Sequence, residues 1–255
     1  MSARVPPATL ARVFWRCLFL QAAWNRRGMQ NLGFAYAIDP ALAALYPEPE
    51  RRREALARHL GFFNCHPYTA AAILGGTIYH EERVARGEEP AGNPVLYKST
   101  LQGPLAAIGD GFFWTALRPF FGALAALGAL AVGWPAVVIT LAIYNLVHLA
   151  LRYGLFRDGY RKGDGIVADV ARLSLPVLAD RLRVAGAFVC GLTAALLLWR
   201  GALQDGFLSG AVALAAAAFG YLALLGGARL LPAAYVIVVA GVGAALFAAR
   251  WHGSS

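Results

Sequence analysis

Residues 119–150 read PFFGALAALGALAVGWPAVVITLAIYNLVHLA, with no Asp, Glu, Lys or Arg in the run. A helix that crosses a bilayer needs about 20 predominantly apolar residues, so this stretch is long enough to meet lipid. It is not continuous, because Gly133-Trp134-Pro135 cuts it. Proline biases the residue before it away from helix and suits the first turn of a new one. The pieces on either side, 120–132 and 136–150, are each short for a full span. The run is therefore read as a helical hairpin or a broken span.

The rest of the composition agrees. The chain of 255 residues is 59% hydrophobic and 15% charged, with a mean hydropathy of +0.55. Soluble domains carry about 25% charged residues. The net charge of +9 raises nucleic acid as a partner. The basic residues, however, gather outside the apolar stretches, which fits the positive-inside rule and not a basic groove. No nucleic-acid role is expected. Cys17, Cys65 and Cys190 show no CxxC spacing and are read as small buried hydrophobes, not as a disulfide framework or metal site. Arg12 and Arg16 interrupt the first apolar segment, so no cleavable leader is expected.

In ATLARVFWRCLFLQAAWN, Leu10, Val13, Phe14, Cys17 and Leu18 follow the i, i+3, i+4, i+7, i+8 stripe of an amphipathic helix. Two placements are open for it: the membrane interface, or a packed position on a partner or on the rest of the chain. In YPEPERRREALARHLGFF, Pro49 starts a polar helix, Glu54 and Arg58 form an i, i+4 pair, and Gly61 is a stop. A short helix is expected at 67–82. Residues 184–199, 207–225 and 230–249 read as transmembrane helices. Lys and Arg number nine in 1–60 and seven in 151–183, which places the N-terminus in the cytosol and the C-terminus outside. The fold expected is all-α: a polytopic membrane protein with N-terminal amphipathic helices, broken or re-entrant segments and about three C-terminal spans. Residues 1–170 form its core and 171–255 its C-terminal helices.

Two polar breaks stand out. In FFNCHP (62–67), Pro67 displaces His66 from the helical region, so the chain stops at Asn64–His66 and restarts. Asn64 or His66 either caps the next helix or offers a polar ligand site at a helix break. In LQGPLAAIGDGFFWTALRP (101–119), Gly103-Pro104 and Gly109-Asp110-Gly111 punctuate apolar sequence. Asp110 either caps a helix that begins at Gly111 or accepts hydroxyl hydrogen bonds beside Phe112, Phe113 and Trp114, whose faces suit sugar C–H groups. Arg118 is its possible charge partner. In YNLVHLALR, Asn145 and His148 either bond between helices or line a polar path, with Arg152 a turn further.

YHEER (79–83) lacks the second histidine of a zinc protease, so no metal is expected, and Glu81 and Glu82 read first as a solvated helix end. GDGIVA (163–168) matches a dinucleotide fingerprint without a preceding strand and is taken as chance. There is no Walker loop, GxSxG elbow or Cys–His pair. The sequence calls for no cofactor and no catalysis by this chain.

Six runs, in order, share one resemblance: LQAAWNRRGMQNLGFAYAIDPAL (20–42), ARHLGFFNCHP (57–67), LGGTIYHEE (74–82), LQGPLAAIGDGFFWTALRP (101–119), YNLVHLALRYG (144–154) and DGYRKGDGIV (158–167). They resemble the IID component of the mannose/fructose/sorbose phosphotransferase system. The resemblance implies a multi-pass subunit of the bacterial inner membrane that pairs with a IIC subunit, in a trimer of heterodimers among membrane lipid. It implies inward transport of a hexose or amino sugar, phosphorylated by way of cytosolic IIA and IIB proteins. On these motifs, Asn25, Asn64, Glu81, His66, Asp110 and Trp114 are candidates for substrate contact or translocation. Asn145, His148 and Arg118 are candidates for interhelical or partner contact. A second reading is a membrane regulatory protein that keeps this fold without moving sugar. Gln102, Ala107 and Cys65 stand where the family usually has Met, Gly and Thr, and GDG stands for its GDP or GDS.

Overall fold

This computed structural model describes residues 4–205; the expected spans at 207–225 and 230–249 lie outside the described residues. Every named element is helical: α1 Pro7–Cys17, α2 Asn31–Leu45, α3 Pro49–Ala57, α4 Ala70–Ala85, α5 Asn93–Gly109, a π-helical stretch Asp110–Leu117, α6 Arg118–Val132, α7 Trp134–Lys162, a 3-10 turn Gly163–Gly165, α8 Ile166–Arg172 and α9 Leu175–Asp205. A compact unit ends at Val189. Two helical stretches, Asn93–Val132 and Trp134–Leu197, are apolar and long enough to cross a membrane. The protein is an all-α membrane protein.

The amphipathic stripe forms α1, which buries Val13, Phe14 and Cys17 and sets Phe14 on Phe156 of α7 at 5.8 Å between ring centres. It ends at Cys17, earlier than the pattern predicts, and the chain turns through 18–24. Arg52 of α3 reaches Asp39 of α2 at 2.7 Å, and Arg16 of α1 lies 3.7 Å from the same carboxylate. One acid thus ties three helices.

At the centre, α4 crosses α7 backbone to backbone. A Cβ on Gly75 would stand 2.1 Å from the Phe156 carbonyl oxygen, and one on Gly159 would stand 2.3 Å from that of Ala72. Small residues at such a crossing let two helices approach closely, which in a membrane supplies packing without a hydrophobic driving force. The helix expected at 67–82 is Ala70–Ala85, because His66 and Pro67 lead into a turn before it.

The expected break across 101–111 does not occur. Helix α5 passes through Pro104, and the π stretch carries the chain without interruption into α6. Proline inside a helix gives up an N–H and crowds the carbonyl four residues back. A π turn is wider, and here it ends at Leu117, two residues before Pro119. Thr115 Oγ1 donates to the Gly111 carbonyl at 2.7 Å, and Arg183 of α9 donates to that carbonyl and to Thr115 Oγ1 at 3.1 and 3.0 Å. The Gly111 carbonyl of the irregular stretch is therefore satisfied by protein groups, as lipid requires.

The expected hairpin is present. Gly133 has φ +92°, the left-handed region that glycine tolerates best, and Pro135 opens α7. A Cβ on Gly128 would meet the Ala136 Cβ at 2.7 Å, and Phe121 contacts Tyr144 at 5.7 Å. No residue of α6 is buried, and α7 runs on to Lys162, twelve residues beyond the apolar run that ends at 150. The expected span 184–199 lies within α9.

Candidate functional site

The two polar breaks of the sequence lie against each other. Gln30 is the clamp: its side chain donates to the Cys65 carbonyl at 2.8 Å and accepts from the Cys65 N–H at 3.0 Å. Thr69 Oγ1 donates to the Leu105 carbonyl at 2.8 Å. His66 is thereby pressed onto Gly109, where a Cβ would come within 2.4 Å of it. Its ring stacks on Phe113 at 5.0 Å and 11°, and meets the edge of Trp114 at 4.9 Å.

Beside this contact lies a pocket of about 390 Å³ between the end of the π stretch, α6 and α7. Tyr68, Trp114, Arg118, Phe121, Tyr144 and Asn145 line it. Small-molecule sites run from about 300 to 1,000 Å³ and are mostly apolar with a few polar groups. The Arg118 guanidinium sits over the Trp114 ring at 5.2 Å. The Asn145 side chain donates to the Leu141 carbonyl at 2.8 Å, and its Oδ1 lies 3.1 Å from His148 Nε2. His148 stacks on Tyr68 at 4.5 Å and 7°, and the Tyr68 and Tyr144 hydroxyls are 3.4 Å apart. The pocket thus offers ring faces for C–H groups and a guanidinium and an amide for hydroxyls.

Behind it stands a buried cation. Arg152, 3% exposed, donates to the Cys17 carbonyl, lies 3.4 Å from Cys17 Sγ and faces the Tyr68 ring at 5.6 Å. Burial, with the Arg152 charge adding to it, lowers His66 to about 4, so the ring is neutral at pH 7. His66 Nε2, His148 Nδ1 and Arg152 Nε are buried with no hydrogen-bond partner. Buried polar groups are nearly always bonded, and these three stand behind the pocket, outside its lining, with hydrogen-bonding capacity to spare.

The pocket gathers Trp114, Arg118 and Asn145, while His66 and His148 stand behind it, against Trp114 and against Tyr68 and Asn145. Asp110 and Asn64 stay outside it, both exposed. Neither Asp110, Asn64 nor His66 caps a helix with its side chain. Arg118 turns to Trp114 and not to Asp110. Tyr68, Tyr144 and Gln30 were not singled out in the sequence.

The pocket-bearing stretch falls inside a wider match: residues 4–198 fit the PTS system mannose/fructose/sorbose family IID component. The chain belongs to this IID family. It is 41% identical over 181 residues to the PTS system mannose-specific EIID component of Escherichia coli K12, covering 70% of this chain. It spans 64% of that relative's length. It is 33% identical over 189 residues to the fructose permease IID component of Bacillus subtilis, covering 74% of this chain and 69% of the relative. Among solved structures it is similar to a chain in the cryo-EM complex of the mannose transporter ManYZ with microcin E492. That similarity has a TM-score of 0.61 and 32% identity, over 94% of this chain and 96% of the other.

The remaining candidates of this IID chain sit in structural roles. Glu81 is not a solvated end: it has zero side-chain exposure. Arg58 donates to it at 2.6 and 2.8 Å, Tyr46 donates at 2.8 Å, and His59 Nε2 lies 2.8 Å away. Arg58 is thus taken by Glu81 and not by the expected Glu54. Burial alone would raise the Glu81 carboxyl, but Arg58 and His59 hold it down at about 2. Asn25 shapes the loop before α2. Its Oδ1 accepts from the Gly28 and Arg27 N–H groups at 2.8 and 3.1 Å, and its amide donates to Asn31 at 2.9 Å. Cys17 and Cys65 are buried as expected, whereas Cys190 is exposed.

Proposed function

We propose that this chain is the IID subunit of a sugar permease, which with a IIC subunit imports a hexose or amino sugar. The sugar would be phosphorylated on entry by way of cytosolic IIA and IIB proteins. The observation that carries this reading is the aromatic pocket with Arg118 and Asn145 on its rim. Ring faces cover the C–H side of a pyranose, and the guanidinium and the amide answer its hydroxyls. This chain binds and passes the sugar, and the residues that make and break phosphate bonds belong to the IIA and IIB partners. The resemblance to mannose-, fructose- and sorbose-type IID chains supports a substrate of that class.

The same reading puts the chain in the bacterial inner membrane with a cytosolic N-terminus, where the nine basic residues of 1–60 face inward. Heterodimers with IIC associate as trimers. The test is uptake of labelled mannose, fructose and sorbose in cells that co-express this chain with its IIC. Trp114→Ala and Asn145→Ala are each expected to reduce uptake about tenfold, since a lost ring contact or hydroxyl bond is worth about 1–1.5 kcal/mol. Unchanged uptake in both variants would sink the pocket assignment. A wild-type chain that binds IIC yet supports no uptake would return the molecule to the regulatory reading.

A further inference from the structure

A second cavity, of about 720 Å³, opens between the N-terminal arm, the end of α4 and the end of α7. It shares no lining residue with the aromatic pocket. Guanidiniums from three elements reach it: Arg4, Arg86 and Arg161. Arg86 is engaged with Glu88 at 2.6 Å and approaches Glu82 at 3.7 Å. Arg4 and Arg161 are exposed, and neither forms an ion pair with a carboxylate among the described residues. Glu82, at the cavity wall, is already satisfied: the Val5 N–H and the Tyr160 hydroxyl donate to its Oε1 at 2.8 and 2.7 Å. Two positive charges are therefore left to bind something else.

The apolar share of the lining comes from the arm, Val5 and Pro6, and from the first turn of α1, Pro7 and Leu10. Helix α1 begins at Pro7 with no side-chain cap, so its positive end also lies at the cavity. Helix α7 has 29 residues, about 43 Å at 1.5 Å per residue. That matches a bilayer with its headgroup layers, about 40–45 Å. Arg161, one residue from the end of α7, is therefore expected at headgroup depth. Spare guanidiniums beside an apolar arm at that depth fit a phosphate carried on an amphiphile.

We propose that this cavity binds a phosphate group, held between Arg4 and Arg161, with the apolar arm against the body that carries it. The phosphate can belong to an anionic phospholipid or to a soluble phosphate monoester. The full-length chain is reconstituted in nanodiscs of phosphatidylcholine with phosphatidylglycerol, and the lipid retained on extraction is read by native mass spectrometry. The wild-type chain is expected to retain phosphatidylglycerol preferentially. The preference falls about 5-fold for each of Arg4→Gln and Arg161→Gln. Displacement of the retained lipid by inorganic phosphate assigns the site to phosphate in general, and resistance to it assigns the site to the lipid. A preference that survives in the double variant overturns the proposal. So does an equal loss in Arg26→Gln/Arg51→Gln, which removes the same charge from other segments.

Discussion

Glu81 keeps its charge while fully buried because four hydrogen bonds reach it, three of them from Arg58 and His59 just past the end of α3. Truncating one partner of a buried ion pair costs about 3–5 kcal/mol, since the other charges stay buried. Glu81→Ala is therefore expected to lower the unfolding midpoint sharply in detergent, with Arg58 and His59 left facing a void. The pH dependence has two limbs. Glu81, held near 2 against an ordinary 4.5, adds stability that is fully present above pH 4.5 and is lost as pH falls towards 2. His66, held near 4 against 6.5, must stay neutral in the fold. Its limb is fully favourable above pH 6.5 and is lost as pH falls towards 4. His66→Phe keeps the stacking on Phe113 and removes the proton site. Melting curves from pH 7 to 4 are expected to fall less steeply for this variant, and an unchanged slope would clear His66 of the effect.

Between elements, the crossing of α4 and α7 has no room for a methyl group. Gly75→Ala and Gly159→Ala drive a Cβ into carbonyl oxygens, a misfit of about 1–3 kcal/mol or more. Gly154→Ala on the same helix meets nothing within 4 Å and gains up to about 1 kcal/mol of helix propensity. The amount of folded protein in membranes should fall for the first two variants and hold for the third. The hairpin was legible in the sequence because Gly133 and Pro135 act on backbone torsions that need no knowledge of neighbours. The stretch 101–118 misled for the opposite reason. Its glycines and prolines do disfavour an α-helix, but α5 carries Gly103 and Pro104 all the same, and the π turn that follows is a helix too, its exposed carbonyl answered by Arg183, 72 residues away. Glu81 was misread likewise, since Tyr46, Arg58 and His59 come to it from 22 to 35 residues off. His66, Trp114, Arg118, Asn145 and His148 were readable as polar or aromatic intrusions in oil. Tyr68 and Tyr144 were not, because an aromatic in an apolar segment carries no mark of what it faces.

Across the whole molecule, α6 and α7 form an arm whose outer side is apolar, with Val132 and Trp134 at its tip 76% and 75% exposed. At about 43 Å, α7 is longer than the roughly 30 Å hydrocarbon layer, so tip and base are expected on opposite sides. With Cys190 replaced by alanine, Trp134→Cys is expected to react with a membrane-impermeant maleimide added outside intact cells. Lys162→Cys is expected to react only after the membrane is opened. The reverse pattern would invert the topology.

The guanidinium of Arg152 ends on the carbonyl of Cys17, the last residue of α1, across a separation of 135 residues. The negative pole of that first helix serves the buried cation where an acid would otherwise be needed. It follows that this tie can form only after Arg152 has been synthesised, 135 residues later than the carbonyl it holds.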